Sequence, residues 1–173
     1  MNYKRWYFEN FSYYLTLVTQ SRKPLLIENI DLLRDAFRRS KQKYDYTIDA
    51  IVVLPDHIHM IITPKIAKEY SEIIRHIKRG FVYGLDQETK SQAKADISYA
   101  KYHRGHSGIW QERFYEHTIR DERDLLAIME YIKINPIKHN YVENLEDWRY
   151  SSFVGRVALI PTKNISHTKI INH

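Results

Sequence analysis

The chain has 173 residues, of which 43% are apolar and 28% charged, a composition typical of a globular protein with a buried core. It has no cysteine, which excludes disulfides and thiolate metal sites, and no apolar run reaches the roughly 20 residues that a membrane helix needs. Residues 1–10 lack a signal-peptide pattern. We therefore expect a cytoplasmic, single-domain protein over residues 1–173, with a core at about 11–142 and a tail at 143–173.

The charge balance and the aromatic content favour a nucleic-acid partner. The net charge is +6 and the isoelectric point about 9.3, and Lys and Arg neutralise phosphates. Aromatic residues make up 13% of the chain, with 14 tyrosines, and exposed rings stack on unpaired bases. For most of these tyrosines, however, we prefer the alternative that they are half-buried strand residues.

The predicted elements follow from hydrophobic periodicity. Strands are predicted at residues 11–19, 46–54, 57–63 and 109–119, and the break at Pro55 and Asp56 is short enough for an antiparallel hairpin. Apolar positions at helical spacing predict helices at 29–44 and 70–85. A third helix begins at Asp121 and is ended or kinked by Pro136, and a short helix and a tail follow. Residues 87–108 are polar and weakly patterned, which predicts a loop.

The order of these elements predicts the fold. Strand, helix, strand, strand, helix, strand and helix form the split βαβ pattern of a ferredoxin-like α+β domain. We expect a four-stranded antiparallel sheet with helices on one face and a C-terminal helical tail. The fold alone does not imply a function.

A pair of histidines is the first candidate for chemistry. His57 and His59 are two residues apart on a predicted strand, so both imidazoles project from one face while Ile58 turns into the core. Neutral imidazole is a common ligand of divalent metals. The pair lies within an apolar run, which favours metal ligation over a structural pair.

A tyrosine and an amide form the second candidate. Tyr131 and Asn135 are four residues apart near the end of the third helix and share one face. A free tyrosine, with a pKa of roughly 10, is a poor nucleophile unless its phenolate is stabilised or a metal polarises the atom it attacks. Taken alone, this spacing is more typical of packing and capping.

Together the motifs resemble one family. VVLPDHIH at 52–59, IWQERFYEHTIR at 109–120, YIKINP at 131–136 and WRYSS at 148–152 match, in order and spacing, the HUH single-tyrosine transposases of the insertion-sequence 200 type. The closest branch is the one associated with repetitive extragenic palindromes (REP). Asn135 is typical of that branch, where insertion-sequence relatives carry Gln.

The resemblance implies a site and a reaction. His57, His59 and Asn135 would hold Mg²⁺ or Mn²⁺, and Tyr131 would attack single-stranded DNA beside a hairpin to form a 5′-phosphotyrosine link. Relatives often have Asn where this chain has Asp56, for which a role in the turn is preferred over tuning a histidine. The partner would be hairpin DNA, the chain a monomer or a homodimer, and no membrane is involved.

Seven residues are candidates for DNA contact. For each Lys or Arg on the helices, an ordinary solvent-exposed helix face is as good an explanation as DNA contact. For Trp110, packing in the core is at least as good an interpretation as contact with a base. The candidates are Arg38, Arg39, Lys78 and Arg79 on the helices, and Trp110, Gln111 and Arg113 in the second motif. Tyr115 and His117 are interpreted as structural. Four further histidines lack a partner at ligand spacing: His76, His103, His106 and His139.

Two other functions fit the same residues. A ferredoxin-like sheet with basic helices could bind single-stranded nucleic acid without catalysis, although the third strand offers HIH where such modules carry stacked rings. A metal-dependent hydrolase using water would need the histidines but not Tyr131. A covalent protein–DNA adduct distinguishes these alternatives from the tyrosine transposase.

Overall fold

A computed structural model describes residues 11–154, which form a four-stranded sheet between helices. The strands are β1 (Tyr13–Val18), β2 (Tyr46–Val53), β3 (His57–Pro64) and β4 (Tyr115–Thr118). The helices are α1 (Leu25–Glu28), α2 (Ile30–Lys43), α3 (Tyr70–Gly84), α4 (Gln87–Ala95), α5 (Tyr99–His103) and α6 (Glu122–Lys138). Short 3₁₀ turns occupy Gln20–Arg22, Ala67–Glu69 and Leu145–Asp147.

The sheet confirms the predicted ferredoxin-like order. Its strands lie in the order β2-β3-β1-β4, and all three neighbouring pairs are antiparallel. The β2–β3 hairpin has one irregularity, where Ala50 follows Ile48 in the pairing and Asp49 is left out of register. This bulge reverses which side chains of β2 face each side of the sheet.

The larger core lies between the sheet and the α2–α3 pair. Alternate strand residues such as Leu15, Ile58 and Met60 point to this side and are fully buried against Phe37 and Ile77. Alternation with a period of two is what places one set of apolar side chains on each face of a strand. The helical layer predicted for one face is therefore present.

Helix α6 covers the other face of the sheet. A smaller cluster forms there from Tyr14, Val52 and Ile61 of the strands and Ile132 of α6. His57 and His59 share the parity of Ile61 in β3, so they face α6. The C-terminal helix thus lies over the face that carries the histidine pair.

Two predictions about individual elements were wrong, and a third was wrong in part. Residues 87–108 form α4 and α5 rather than a loop; α4 has one buried apolar residue, Ala93, so its hydrophobic pattern is weak, and the Asp86 side chain caps it instead. The fourth strand covers only Tyr115–Thr118, because Trp110 makes a single bridge to Thr19 and turns into the core. Helix α6 continues through Pro136 to Lys138, so Pro136 does not end it, and a kink at Pro136 stays a prediction.

The WRYSS motif fastens the C-terminal segment to the sheet. Ser151 bridges to Val52, and Ser152 exchanges hydrogen bonds with Ile51, so the segment lies along the outer edge of β2. Covering an edge in this way protects its unpaired backbone groups. The rest of the predicted tail, residues 155–173, lies outside the described residues, as do residues 1–10, and the boundary at 142 stays a prediction. None of the described helices is both long and apolar enough to cross a bilayer.

Candidate active site

The two histidines lie side by side beneath α6. Their ring centroids are 4.9 Å apart and both side chains are almost fully buried, while Ile58 between them points into the larger core. This is the arrangement that the two-residue spacing predicted. Two polar rings in an apolar strand are costly to bury unless each has a partner.

His59 is oriented by a tyrosine and a threonine of β1. Its Nδ1 lies 2.8 Å from Tyr14 Oη and 3.0 Å from Thr16 Oγ1. Burial, together with the charges of His57 and other nearby cations, lowers the pKa of His59 to about 3, so the ring is neutral. With Nδ1 engaged, Nε2 is the nitrogen available to an external ligand, which is how metal-binding histidines are commonly held.

His57 is oriented by the residue before it. Asp56 Oδ1 accepts a hydrogen bond from His57 Nδ1 at 2.5 Å, and Asp56 Oδ2 accepts one from Arg22 at 3.0 Å. Burial raises the pKa of Asp56, but the hydrogen bonds from His57 and Arg22 outweigh it and hold the pKa below its usual value. Burial lowers the pKa of His57 despite the neighbouring carboxylate. Asp56 therefore contacts the histidine as well as forming the turn.

Helix α6 is fixed at its start by side-chain hydrogen bonds. The Asp121 carboxylate accepts a hydrogen bond from the backbone N–H of Asp124 at 2.8 Å, which caps the helix. His117 on β4 donates to the Asp124 carboxylate at 2.8 Å, so strand and helix are joined here. His117 has the structural role expected of it, and it sets where the rest of α6 crosses the sheet.

Tyr131 lies against His59. The two ring centroids are 5.3 Å apart at an interplanar angle of 76°. The Tyr131 ring also meets the edge of Tyr14 at 6.4 Å, and its side chain is half-buried. The hydroxyl-bearing ring is thus adjacent to one imidazole of the pair, as a nucleophile working beside a bound metal would need.

Asn135 is a buried amide with no hydrogen-bond partner. It is 0% exposed, and neither Oδ1 nor Nδ2 has a partner among the residues that the structure describes. It lies one turn after Tyr131, which is beside His59, and one turn before His139, whose ring is 5.1 Å from that of His57. The shared helix face therefore holds the amide over the histidine pair.

The donor set fits a divalent cation. Two neutral imidazoles and an unpaired amide oxygen offer the nitrogen and oxygen ligands that Mn²⁺ and Mg²⁺ accept. Across residues 11–154, no three His, Cys, Asp or Glu side chains are grouped so that they could hold a metal ion by themselves. The unpaired Asn135 amide oxygen is of another chemical type and could add an oxygen ligand to the histidine pair.

His139 and Lys138 are among the residues near the site that were not predicted from sequence. His139 was judged to lack a partner, but its ring adjoins His57 because α6 crosses β3; its spacing of four from Asn135 was the available signal. The Lys138 ammonium lies 4.7 Å from the centroid of the Tyr131 ring, and its charge helps to lower the pKa of His59. Lys138 therefore brings a positive charge to the candidate nucleophile.

Four of the seven predicted DNA-contact residues line one cavity, which lies on the side of the sheet covered by α2 and α3. Lys78, Arg79, Trp110 and Gln111 line a space of about 930 Å³ between α3 and residues 104–114. Burial lowers the pKa of Lys78 to about 8, and its ammonium donates to the Gln111 carbonyl oxygen at 2.6 Å. The cavity is basic and is walled on one side by α3.

Trp110 is a core residue. Only 6% of it is exposed, its indole N–H donates to the Lys78 carbonyl oxygen at 3.2 Å, and its ring packs against Phe81 at 5.4 Å. The core-packing alternative is the correct one, and no free ring face is offered for stacking on a base. The ring acts instead as a wall of the cavity.

The remaining three candidates are dispersed. Arg39 donates to the Gly80 carbonyl oxygen and shares with Arg79 a smaller neighbouring cavity of about 480 Å³. Arg38 is paired with Asp35 one turn earlier on α2. Arg113 is exposed beside the larger cavity but does not line it. The basic helix faces therefore lie across the sheet from the histidine pair.

Comparison with known proteins identifies the family. The family model described as transposase, IS200-like, matches residues 7–135, about three quarters of the chain. A Haemophilus influenzae protein assigned to the REP-associated tyrosine transposases is 39% identical over 154 residues, covering 88% of this chain and 85% of the relative. The REP-associated tyrosine transposase of Escherichia coli is 33% identical over 158 residues, covering 90% and 84%.

A solved structure supports the same assignment. The structure of a REP-associated tyrosine transposase bound to a REP hairpin matches with a TM-score of 0.70 and 32% identity, over 88% of this chain and 82% of that one. The matched sequence, the matched fold and the order of the motifs agree. The chain belongs to the IS200-like transposases, in their REP-associated tyrosine branch, and is an enzyme that cuts and transfers DNA strands.

Proposed function

We propose that this transposase cleaves and rejoins single-stranded DNA beside REP-like hairpins, with Tyr131 as the nucleophile. A divalent cation, Mg²⁺ or Mn²⁺, would be held by His57, His59 and Asn135. The observation that carries the proposal is the fully buried and unpaired Asn135 amide, one helical turn after a tyrosine whose ring lies 5.3 Å from His59. A helix used only for packing would not retain an unsatisfied amide at its buried face.

The reaction is a transesterification. Tyr131 Oη forms a bond to the scissile phosphorus in line with the bond to the 3′-oxygen, which breaks as the phenolic proton is lost. The products are a 5′-phosphotyrosine and a free 3′-hydroxyl, and attack by a 3′-hydroxyl reverses the step. One phosphodiester replaces another, so rejoining needs no ATP, in agreement with a sequence that has no Walker-type phosphate loop.

The residues around the site have separable tasks. When bound, the cation supplies Lewis-acid polarisation of the scissile phosphate. Tyr14 and Thr16 hold His59 through its Nδ1, and burial raises the pKa of Tyr14 to about 12, so Tyr14 remains a neutral hydrogen-bonding group. Asp56 holds His57. The Lys138 ammonium, beside Tyr131, balances negative charge on the phosphate and the phenolate.

DNA recognition is divided between the two sides of the sheet. The single-stranded segment to be cut enters at Tyr131, while the basic surface of α2 and α3 offers cations for the phosphates of a hairpin. The hairpin as substrate is proposed because a relative of 32% identity was solved bound to a REP hairpin. A cytoplasmic location and a monomeric or homodimeric state remain predictions.

Cleavage of hairpin DNA tests the proposal. REP-like DNA hairpins with single-stranded flanks are incubated with the protein and Mn²⁺ or Mg²⁺, and the products are resolved on a denaturing gel. We expect a covalent protein–DNA band from the wild type that requires metal, none from Tyr131→Phe, and an unchanged band from the control Tyr115→Phe. Cleavage that persists in Tyr131→Phe would instead establish a hydrolase that uses water.

A further inference from the structure

The chain reverses direction after α6, and this reversal brings Tyr141 close to the active site. Asn140, just after the helix, has a positive φ of 57°, and its N–H donates to the Ile137 carbonyl oxygen at 2.8 Å. The Tyr141 N–H donates to the Pro136 carbonyl oxygen at 3.0 Å. A left-handed residue after the helix reverses the chain, as in common C-terminal caps. The side chain of Tyr141 therefore folds back beside His139.

Three aromatic side chains are stacked where the chain reverses. The His139 and Tyr141 rings are 6.1 Å apart at 26°, and the Tyr141 and Trp148 rings are 5.3 Å apart at 29°. Trp148 is tied to the sheet, because its indole N–H donates to the Val53 carbonyl oxygen of β2 at 3.0 Å. We call His139, Tyr141 and Trp148 the aromatic shelf. Its three rings contact one another in sequence, and one of them is hydrogen-bonded to the backbone.

The aromatic shelf is open to solvent and continuous with the proposed metal site. Tyr141 is 42% exposed and His139 is also exposed, so part of the stack is accessible to a ligand. His139 adjoins His57 at 5.1 Å. Burial and, less strongly, the charge of Asp56 raise the pKa of Tyr141, while the charge of Arg22 lowers it. Arg22, 62% exposed at its side chain, adds a cation to this rim.

The geometry of the reaction indicates which side of the cleaved bond faces the aromatic shelf. In an in-line displacement the nucleophile and the leaving oxygen lie on opposite sides of phosphorus. Tyr131 adjoins His59, whereas the aromatic shelf adjoins His57. A phosphate over the histidine pair, attacked from the Tyr131 side, therefore sends its leaving 3′-oxygen toward His57 and the shelf.

We propose that the aromatic shelf is a stacking site for the unpaired bases immediately 5′ of the cleaved bond. These are the bases of the strand that ends in the free 3′-hydroxyl after cleavage. This inference rests on the proposed function, because it uses Tyr131 as the nucleophile. Its consequence is that the departing strand stays bound beside the phosphotyrosine, ready to be rejoined or exchanged. Stacking on aromatic rings suits this task because it tolerates any base.

The test uses a hairpin on which the wild type forms the covalent adduct. The fluorescent base 2-aminopurine is placed either directly 5′ or directly 3′ of the cleaved bond, and binding is followed with the non-cleaving Tyr131→Phe protein in Mn²⁺. We expect quenching of the 5′ probe, loss of that quenching when Tyr141→Leu is added, and its retention with Tyr141→Trp. The 5′ flank alone should bind about 10-fold more weakly to the Tyr141→Leu protein.

Control variants distinguish failure of the stacking inference from failure of the proposed function. Tyr115, 59% exposed on β4, is an exposed ring away from His57, so Tyr115→Leu should leave the 5′ quenching intact. Circular dichroism checks that each variant is folded, and Tyr141→Gln, which also removes the ring, serves where the leucine variant is not. Equal 5′ quenching with and without Tyr141, or an effect confined to the 3′ probe, would overturn the inference while the adduct stands. Absence of any wild-type adduct would remove the proposed function and this inference with it.

Discussion

Replacing Asn135 with leucine should stabilise the metal-free protein. Leucine has the same branching and the same number of side-chain heavy atoms, and the Asn135 amide is fully buried with both polar atoms unpaired. An unsatisfied buried polar group costs about 1–3 kcal/mol of the free energy of unfolding. For a chain of this size, removing that cost should raise the Tm by about 2–12 °C.

The assay is thermal unfolding in EDTA and again in Mn²⁺. Wild type should gain stability from Mn²⁺, because a ligand that binds only the folded state stabilises it, and Asn135→Leu should gain little and form no adduct. The matched control is Asn29→Leu, since the Asn29 amide donates to the Leu25 carbonyl oxygen at 2.9 Å; that variant should lose stability. A lower Tm for Asn135→Leu in EDTA would contradict this prediction, because it would mean that the Asn135 amide is already hydrogen-bonded.

Three further predictions concern charged groups. Lys138→Ala should slow single-turnover adduct formation by roughly 10- to 100-fold, measured by rapid quench, whereas Lys133→Ala, which loses only an exposed pair on the same helix, should have little effect. Asp56→Ala should weaken Mn²⁺ binding by about 10- to 100-fold in calorimetry, and Asp56→Asn by much less. Because burial holds the pKa of Lys78 at about 8, its charge is lost above that pH. DNA affinity should then fall between pH 7 and 9 in a filter-binding assay, and Lys78→Arg should abolish the fall.

The sequence predicted well those features that depend on residues close to one another in the chain. Strands with a period of two and helices with a period of 3.6 follow from burial of one face, so β1 to β3, α2 and α3 were found within a few residues. The two motif spacings are local for the same reason: His57 and His59 share a strand face, and Tyr131 and Asn135 share a helix face.

What the sequence did not predict depends on packing between distant elements. The places of His139 and Lys138 follow from the line that α6 takes across β3, which no local pattern encodes. Trp110 could be a base contact or a core residue until its contacts with Lys78 and Phe81 are seen. Helix α4 was missed because capping and composition stabilise it rather than an apolar face.

The most direct test of the central claim is to locate the DNA on the protein. Adduct formed by the wild type is digested with nuclease and trypsin, and the nucleotide-bearing peptide is sequenced by mass spectrometry. Residues 124–133, between Arg123 and Lys133, form a tryptic peptide with a single tyrosine. We expect a 5′-phosphonucleotide on Tyr131 in this peptide. A nucleotide on residues 114–120, which contain Tyr115, or a linkage through the DNA 3′ end, would contradict it.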